Sequence, residues 1–358
     1  MVKTRETALR KTLARVAPGT ELRTGLERIL RGRTGALIVL GFERSVEALC
    51  SGGFDIDTDF TPTKLRELAK MDGAIVCDRD ASRILKAGVQ LMPDARIATQ
   101  ESGTRHRSAE RTARQTGLPV IAVSQSMSVI TIYVDDYRYV IEGSQAIMAR
   151  ANQALQTLEH YSNRLEQVLG SLSALEIEAA VTARDVALTL QRMEMVRRIS
   201  EEIGWYVLEL GEDGRLISLQ LEELTAGTGP GPDVVLRDYL PDTTSQEEFD
   251  AALERLAQLS SAELIDLQKV STAAGLTTAQ GTLETELHPH GYRLLAGIKS
   301  MPRAVANRLV AQFDGLQSLM AANLEDLMSV EGIGGQRART VRESLSRMAE
   351  TSLLDRFM

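Results

Sequence analysis

Between Pro119 and Pro230 the chain contains no proline, and that gap divides it into three parts. A span this long without a helix breaker permits helices well beyond ordinary length. Within it Leu155, Leu158, Leu165, Leu169 and Leu172 keep a three-and-four spacing that lays one apolar stripe along a helix, with Ser162 interrupting the seam. A second amphipathic stretch, Ile177 to Ile203, carries Val181, Leu188, Met193, Val196 and Ile199. Ser144–Gly204 therefore reads as long helices, a stalk or bundle. The stripe serves either packing within the chain or a seam between copies.

The first 145 residues read differently. Ala36–Leu40, Gly73–Cys77, Val120–Val123 and Val129–Val134 are short β-branched runs bounded by Gly, Asp, Pro or Ser, as buried strands are. Thr61-Pro62-Thr63 opens a helix through Met71. Ser102-Gly103 introduces another from Thr104 to Thr116, closed by Gly117 and Pro119. This alternation predicts an α/β domain over 1–145. Downstream, Gly227 to Pro232 is a turn-rich break, Glu247–Leu267 returns to a helical pattern, and Ser271–Thr285 reads as a loosely structured approach to a last domain. The expected plan is an all-α middle over 146–287 and a C-terminal domain over 288–358.

Charge separates the last two parts: Gly211–Leu287 is strongly acidic, whereas His288–Met358 is slightly basic, within a chain of 358 residues and net charge -8. Two cysteines, Cys50 and Cys77, supply neither a four-sulfur metal cluster nor a disulfide framework, and fit a reducing cytoplasm. No apolar run reaches the roughly 18–20 residues of a membrane span. There is no phosphate-binding Gly-x-x-x-x-Gly-Lys loop, no dinucleotide Gly-x-Gly-x-x-Gly after a strand and no His-Glu-x-x-His. His160 reads as packing or solvated, and His288 and His290 flank Pro289 in a linker.

Two segments of the α/β part carry chemistry. Asp72-Gly73-Ala74 places a carboxylate and a glycine at the mouth of a strand, where a metal or hydroxyl could be held; Asp-Gly is equally a common turn. Gly103-Thr104-Arg105-His106-Arg107-Ser108 puts two arginines, a histidine and hydroxyls at a helix start. That end is already positive, so the arginines there ask for an anion; the bland alternative is a solvated basic helix start. In the last domain, Leu327 to Ala338 reads helix, tight turn, helix around Gly332-Ile333-Gly334, with Arg337, Arg339 and Arg342 beyond it. Its backbone N–H groups suit a DNA phosphate without base contacts, although such hairpins also bind proteins. Leu295–Pro302 looks like a degenerate first hairpin.

Taken together, Leu68–Cys77 with Asp72-Gly73-Ala74, then Thr104-Arg105-His106-Arg107 with Ser108 and Glu110, resembles the diadenylate cyclase family. The separation of the two motifs, and the strand between them with Gly88, Gln90, Leu91 and Pro93, are similar too. With a helical middle and a helix–hairpin–helix end, the chain resembles the DNA-binding branch of that family along its whole length. The resemblance implies that two ATP molecules condense to cyclic di-AMP with loss of two pyrophosphates, using Mg²⁺ or Mn²⁺. It also implies that each domain holds one ATP and that two domains meet face to face in a homo-oligomer, an octamer, so one chain carries half a site. Asp72 would hold the metal and orient the 3′-hydroxyl. Arg105, His106 and Arg107, with Thr104 and Ser108, would cradle phosphates, Gly73, Ala74 and Leu91 would line the nucleotide, and Ser124 and Gln125 would reach the triphosphate. Gly332, Ile333, Gly334 and Arg337 would bind duplex or branched DNA without sequence preference. The alternative is a nucleotide-sensing DNA-binding scaffold that does not turn ATP over; a glycosylase or nuclease lacks its cysteine set or clustered carboxylates.

Overall fold

The computed structural model describes residues 2–355 except 228, 242, 279, 280, 299 and 300. Thr228 of the turn-rich break, and Lys299 and Ser300 of the degenerate hairpin, thus lie outside the described residues. The chain forms two compact units: Met1–Gln153 with Ile203–Leu219, and Ala154–Glu202 with Gln220–Met358.

In the first unit α1 (Val2–Val16) and α2 (Glu21–Arg31) precede β1 (Ala36–Leu40). There follow α3 (Arg44–Glu47), β2 (Cys50–Ser51), β3 (Phe54–Asp59), α4 (Pro62–Leu68), β4 (Ala74–Cys77), β5 (Arg83–Leu91), α5 (Thr104–Thr116), β6 (Val120–Ser124), β7 (Val129–Val134) and β8 (Tyr137–Ile141). The strands form one sheet in the order β2-β5-β4-β1-β6-β7-β8, with β3 also on β5. β1 and β4 run parallel, and the remaining pairs are antiparallel.

Both faces of the sheet are covered, which is why β1, β4 and β6 read as unbroken apolar runs rather than alternating ones. Ile38, Leu40, Ile75 and Ile121 face a core shared with Leu26 and Ile29 of α2 and Leu65 of α4. Leu37, Val39, Val76 and Ala122 face Ala109 and Ala113 of α5. As expected, α5 begins after Gly103 and ends at a left-handed Gly117.

After the sheet the chain is helical: α6 (Ser144–Ile177), α7 (Ala183–Leu210), a 3₁₀ turn at Gly211–Gly214, α8 (Arg215–Ala226), α9 (Pro232–Tyr239), α10 (Gln246–Gln258), α11 (Ser261–Leu264) and α12 (Leu267–Ala273). Two expectations are corrected. The second long helix starts six residues later than Ile177, because the Asp185 carboxylate accepts the N–H and hydroxyl of Thr182 at 2.9 and 2.6 Å and sets a new N-terminus there. The pattern over Glu247–Leu267 is likewise not one helix. Ser260 and Glu263 form a capping box that restarts the chain at α11, just as Ser245 and Glu248 start α10.

The last segment comprises α13 (Tyr292–Ala296), α14 (Arg303–Gln312), α15 (Leu316–Ala321), α16 (Leu324–Met328) and α17 (Gly335–Asp355) around a core of Leu295, Leu309, Leu316, Leu327, Ile333 and Val341. Among the described residues no helix is long and apolar enough to cross a membrane.

Candidate functional site

The register of the sheet gathers the predicted residues at one edge. β1 and β4 are in step from Ile38–Ile75 to Leu40–Cys77, so their starts, Gly35–Ala36 and Asp72–Gly73, lie side by side. β6 runs the other way on β1, pairing Val123 with Ala36, and so delivers Ser124 to the same edge. β5, opposite β4 with Val89 against Ala74, brings Gly88 to Leu91 there. The first turn of α5 joins them: the Arg105 guanidinium lies on Gly35 so closely that a Cβ there would sit 2.2 Å from Nη1. Any side chain at Gly35 would displace Arg105, a constraint that sequence reasoning missed.

Asp72 is exposed, and among the described residues its Oδ1 accepts only the N–H of Gly73, at 3.0 Å. Among the described residues neither Arg105 nor Arg107 has a hydrogen-bonded or ion-paired partner. Two unneutralised guanidinium groups thus sit at a helix end whose own N–H groups are uncapped by any side chain. Such an end favours an anion by roughly 0.3–1 kcal/mol before the arginines are counted.

Gly73 takes φ +106, and a Cβ there would come within 2.6 Å of the Gly88 backbone. The glycine is therefore required by the close approach of β4 and β5, whatever lies on the strand. Ala74 is fully buried and Leu91 only 9% exposed, both in the core facing α5, so their side chains present little surface. Exposed apolar surface lies beside them instead. Phe54 is 63% exposed and Met71 is also exposed, and both stand within reach of the Gly88 position.

His106 is 6% exposed, turned inward rather than along the phosphate-facing surface. Its Nδ1 lies 2.8 Å from the Tyr133 hydroxyl, which donates to Glu101 Oε1 at 2.7 Å; Arg138 Nε donates to the same oxygen at 2.6 Å. Nε2 is buried and has no hydrogen-bond partner among the described residues. Burial holds His106 below the ordinary histidine range; the Glu101 charge opposes this, while Arg138 and Arg105 add to it. Burial works to raise Glu101, but hydrogen bonds from Tyr133 and Arg138 keep it below the usual carboxylate range. Glu101, Tyr133 and Arg138 are far apart in sequence and share no motif, so only the fold reveals them.

Among the described residues no three His, Cys, Asp or Glu side chains cluster as a self-contained metal site. One free carboxylate beside a place for phosphates nevertheless fits a hard divalent cation, which typically takes one or two protein carboxylates and completes its shell with phosphate and water.

In the last segment Gly332 holds φ +85 in the turn before α17, and Ile333 is buried and anchors that turn in the core. Arg337 Nη1 donates to the Gly332 carbonyl at 2.6 Å, closing the turn. Gly334 is exposed at the helix start. Arg308 of α14 lies over Gly332, so that a Cβ there would meet its Nη2 at 2.6 Å. A basic side chain from the first helix pair thus reaches the second hairpin, a residue the sequence reading did not single out.

Comparison with known proteins bears on both regions. Residues 23–137 match the family described as DisA bacterial checkpoint controller nucleotide-binding, and 141–283 match the DisA bacterial checkpoint controller linker region. Residues 293–354 match the helix-hairpin-helix motif. The DNA integrity scanning protein DisA of Kineococcus radiotolerans is 58% identical over 356 residues, covering 99% of this chain and 99% of that protein. Its counterpart in Streptomyces coelicolor is 55% identical over 352 residues, covering 98% of this chain and 94% of that protein. That of Acidothermus cellulolyticus is 56% identical over 352 residues, covering 98% and 95%.

Proposed function

The chain belongs to the DisA family, and from that premise we propose how its own residues carry out the reaction. It is a diadenylate cyclase, a nucleotidyltransferase, with a helix–hairpin–helix DNA-binding motif, and ATP and DNA are its partners. The parts divide near residues 145 and 287. The observation that carries the residue-level reading is the edge where the starts of β1 and β4, the end of β6 and the first turn of α5 converge.

The triphosphate lies along the α5 N-terminus, with Arg105 and Arg107 neutralising its charge and Thr104 and Ser108 donating hydrogen bonds. Phe54 and Met71, with the edge of Leu91, supply the apolar surface for the base, and the backbone of Gly73 and Ala74 sets the floor. Asp72 would hold the divalent cation, Mg²⁺ or Mn²⁺, which supplies charge neutralisation at the phosphates. Asp72 also orients the 3′-hydroxyl.

A single edge binds one ATP. Two chains placed edge to edge, within a homo-oligomer such as an octamer, let each 3′-oxygen attack the other nucleotide's α-phosphorus. Each attack forms one P–O bond, breaks one α–β phosphoanhydride, expels one pyrophosphate and releases the hydroxyl proton; two attacks close the ring. Positioning of this kind supplies much of the rate. Mixing tests the shared site: excess Asp72→Asn chain, added to the unmodified chain and left to exchange, should suppress activity beyond simple dilution. Activity that stays proportional to the unmodified chain would mean that each chain holds a complete site.

The hairpin at Gly332–Gly334 binds DNA phosphates through backbone N–H groups, with Arg337 as its clasp. DNA engagement at this module lowers synthesis at the other. Adding a four-way junction to a turnover assay should reduce the rate, and an unchanged rate with the junction bound would remove the coupling.

A further inference from the structure

Resting on the reading of this edge as the nucleotide site, we propose that Glu101 and Tyr133 are positioning residues. They fix the proton of His106 on Nδ1, so that Nε2 takes up one proton from solvent when ATP binds.

The argument starts with a proton count. Tyr133 has one hydroxyl proton, and its oxygen faces a carboxylate at 2.7 Å, an imidazole nitrogen at 2.8 Å and the Arg138 guanidinium, which can only donate. A bond to the ionised Glu101 is charge-assisted and the stronger of the two, so the hydroxyl proton goes there. The Tyr133 oxygen can then only accept from His106, and a neutral imidazole must carry its proton on Nδ1. Nε2 is left as a bare lone pair, buried and unpartnered.

That lone pair lies in the first turn of α5, with Gly103 beside the adjacent ring carbon, 3.8 Å from where a glycine Cβ would be. This is the helix end with free N–H groups and two unpaired arginines. A polyphosphate at that end does not touch the buried Nε2, but it brings negative charge close to the ring and so favours a proton on Nε2. The groups facing the ring are Arg105 on its own helix, Glu101 on the preceding loop, Tyr133 on β7 and Arg138 on β8. Without ligand, burial and the two arginines keep the ring neutral against Glu101. With a polyphosphate in place the balance reverses. Glu101, acting through Tyr133, then steadies the imidazolium from behind.

The test is calorimetry of ATP binding to the full chain in buffers of different ionisation enthalpy, at mildly alkaline pH where free ATP and free histidine are both unprotonated. The unmodified chain should take up a proton on binding. Tyr133→Phe keeps the ring but removes the hydroxyl; it should lose that uptake and bind ATP about tenfold more weakly, the equivalent of one pKa unit. Glu101→Gln, which leaves Tyr133 intact, should behave the same way. Uptake that persists in both variants would overturn the relay. ATP binding by the unmodified chain without uptake would overturn the protonation. Failure of the unmodified chain to bind ATP at all would instead refute the nucleotide reading, and this inference with it.

Discussion

Asp72 and Gly73 are neighbours with separate duties, and substitution should separate them. Gly73 at φ +106 against the Gly88 backbone is a folding constraint. Gly73→Ala should cost about 1–3 kcal/mol from backbone strain alone, with the contact adding to it. Thermal unfolding reads this directly, and an alanine variant as stable as the parent would contradict the geometry. Asp72 is exposed and, among the described residues, bonded only to its own turn, so Asp72→Asn should leave the fold unchanged. Turnover should fall by about 10²–10⁴-fold, with ATP binding, followed by calorimetry, largely retained. The charged residues of the edge were legible in the sequence because like charges at a positive helix end need a reason. Gly35, Glu101, Tyr133 and Arg138 were not, because their roles come from strand register and loop path, which no local spacing encodes.

Among the strands, those with an unbroken apolar run were readable and those with a polar face were not, and the helices α1 and α2 went unread despite the apolar stripe of α2. β3, Phe54–Asp59, carries three aspartates and a threonine and lies largely exposed on β5, so it lacks the apolar run that marked β1 or β4. β8 is similarly half-exposed. Helix ends were missed where a capping box sat inside an amphipathic pattern, as at Ser260–Glu263.

Attachment of the last helices was also invisible in sequence. Arg293 of α13 donates its Nε to Glu176 of α6 at 2.9 Å; it is buried, Glu176 is fully so, and Tyr239 donates to the same carboxylate. Removing one member of a buried pair strands the other, so Arg293→Ala should cost about 3–5 kcal/mol in denaturant unfolding. Arg184→Ala, which breaks an exposed pair with Glu284, should cost no more than about 1 kcal/mol.

Asp238 caps α13 by accepting the N–H groups of Gly291, Tyr292 and Arg293. Burial and the Glu176 charge push it up to about 6 from an ordinary 3.8, against the pull of those N–H groups. The folded chain thus holds this proton over a pH range in which the unfolded chain has released it. The resulting stabilisation is complete below the unfolded value and is lost as pH rises through about 6. Asp238→Asn should flatten that part of a melting-temperature profile, and an unchanged slope would contradict the assignment.

At the scale of the whole molecule, the proline-free span foretold the helical middle, since α6 and α7 each contribute residues to both compact units. What the span could not foretell was where each helix is shared. DNA binding through phosphates makes its own prediction: Arg339→Ala should weaken binding regardless of sequence and flatten the salt dependence by about one charge unit, as read by titration at several ionic strengths.

The most direct test of the account is to incubate the purified chain with ATP and Mg²⁺ or Mn²⁺, separate the products by chromatography, and repeat with Asp72→Asn. The account predicts a cyclic dinucleotide with two pyrophosphates per ring from the parent and almost none from the variant. ATP that is bound yet never consumed would contradict it and leave a DNA-binding protein that only senses the nucleotide.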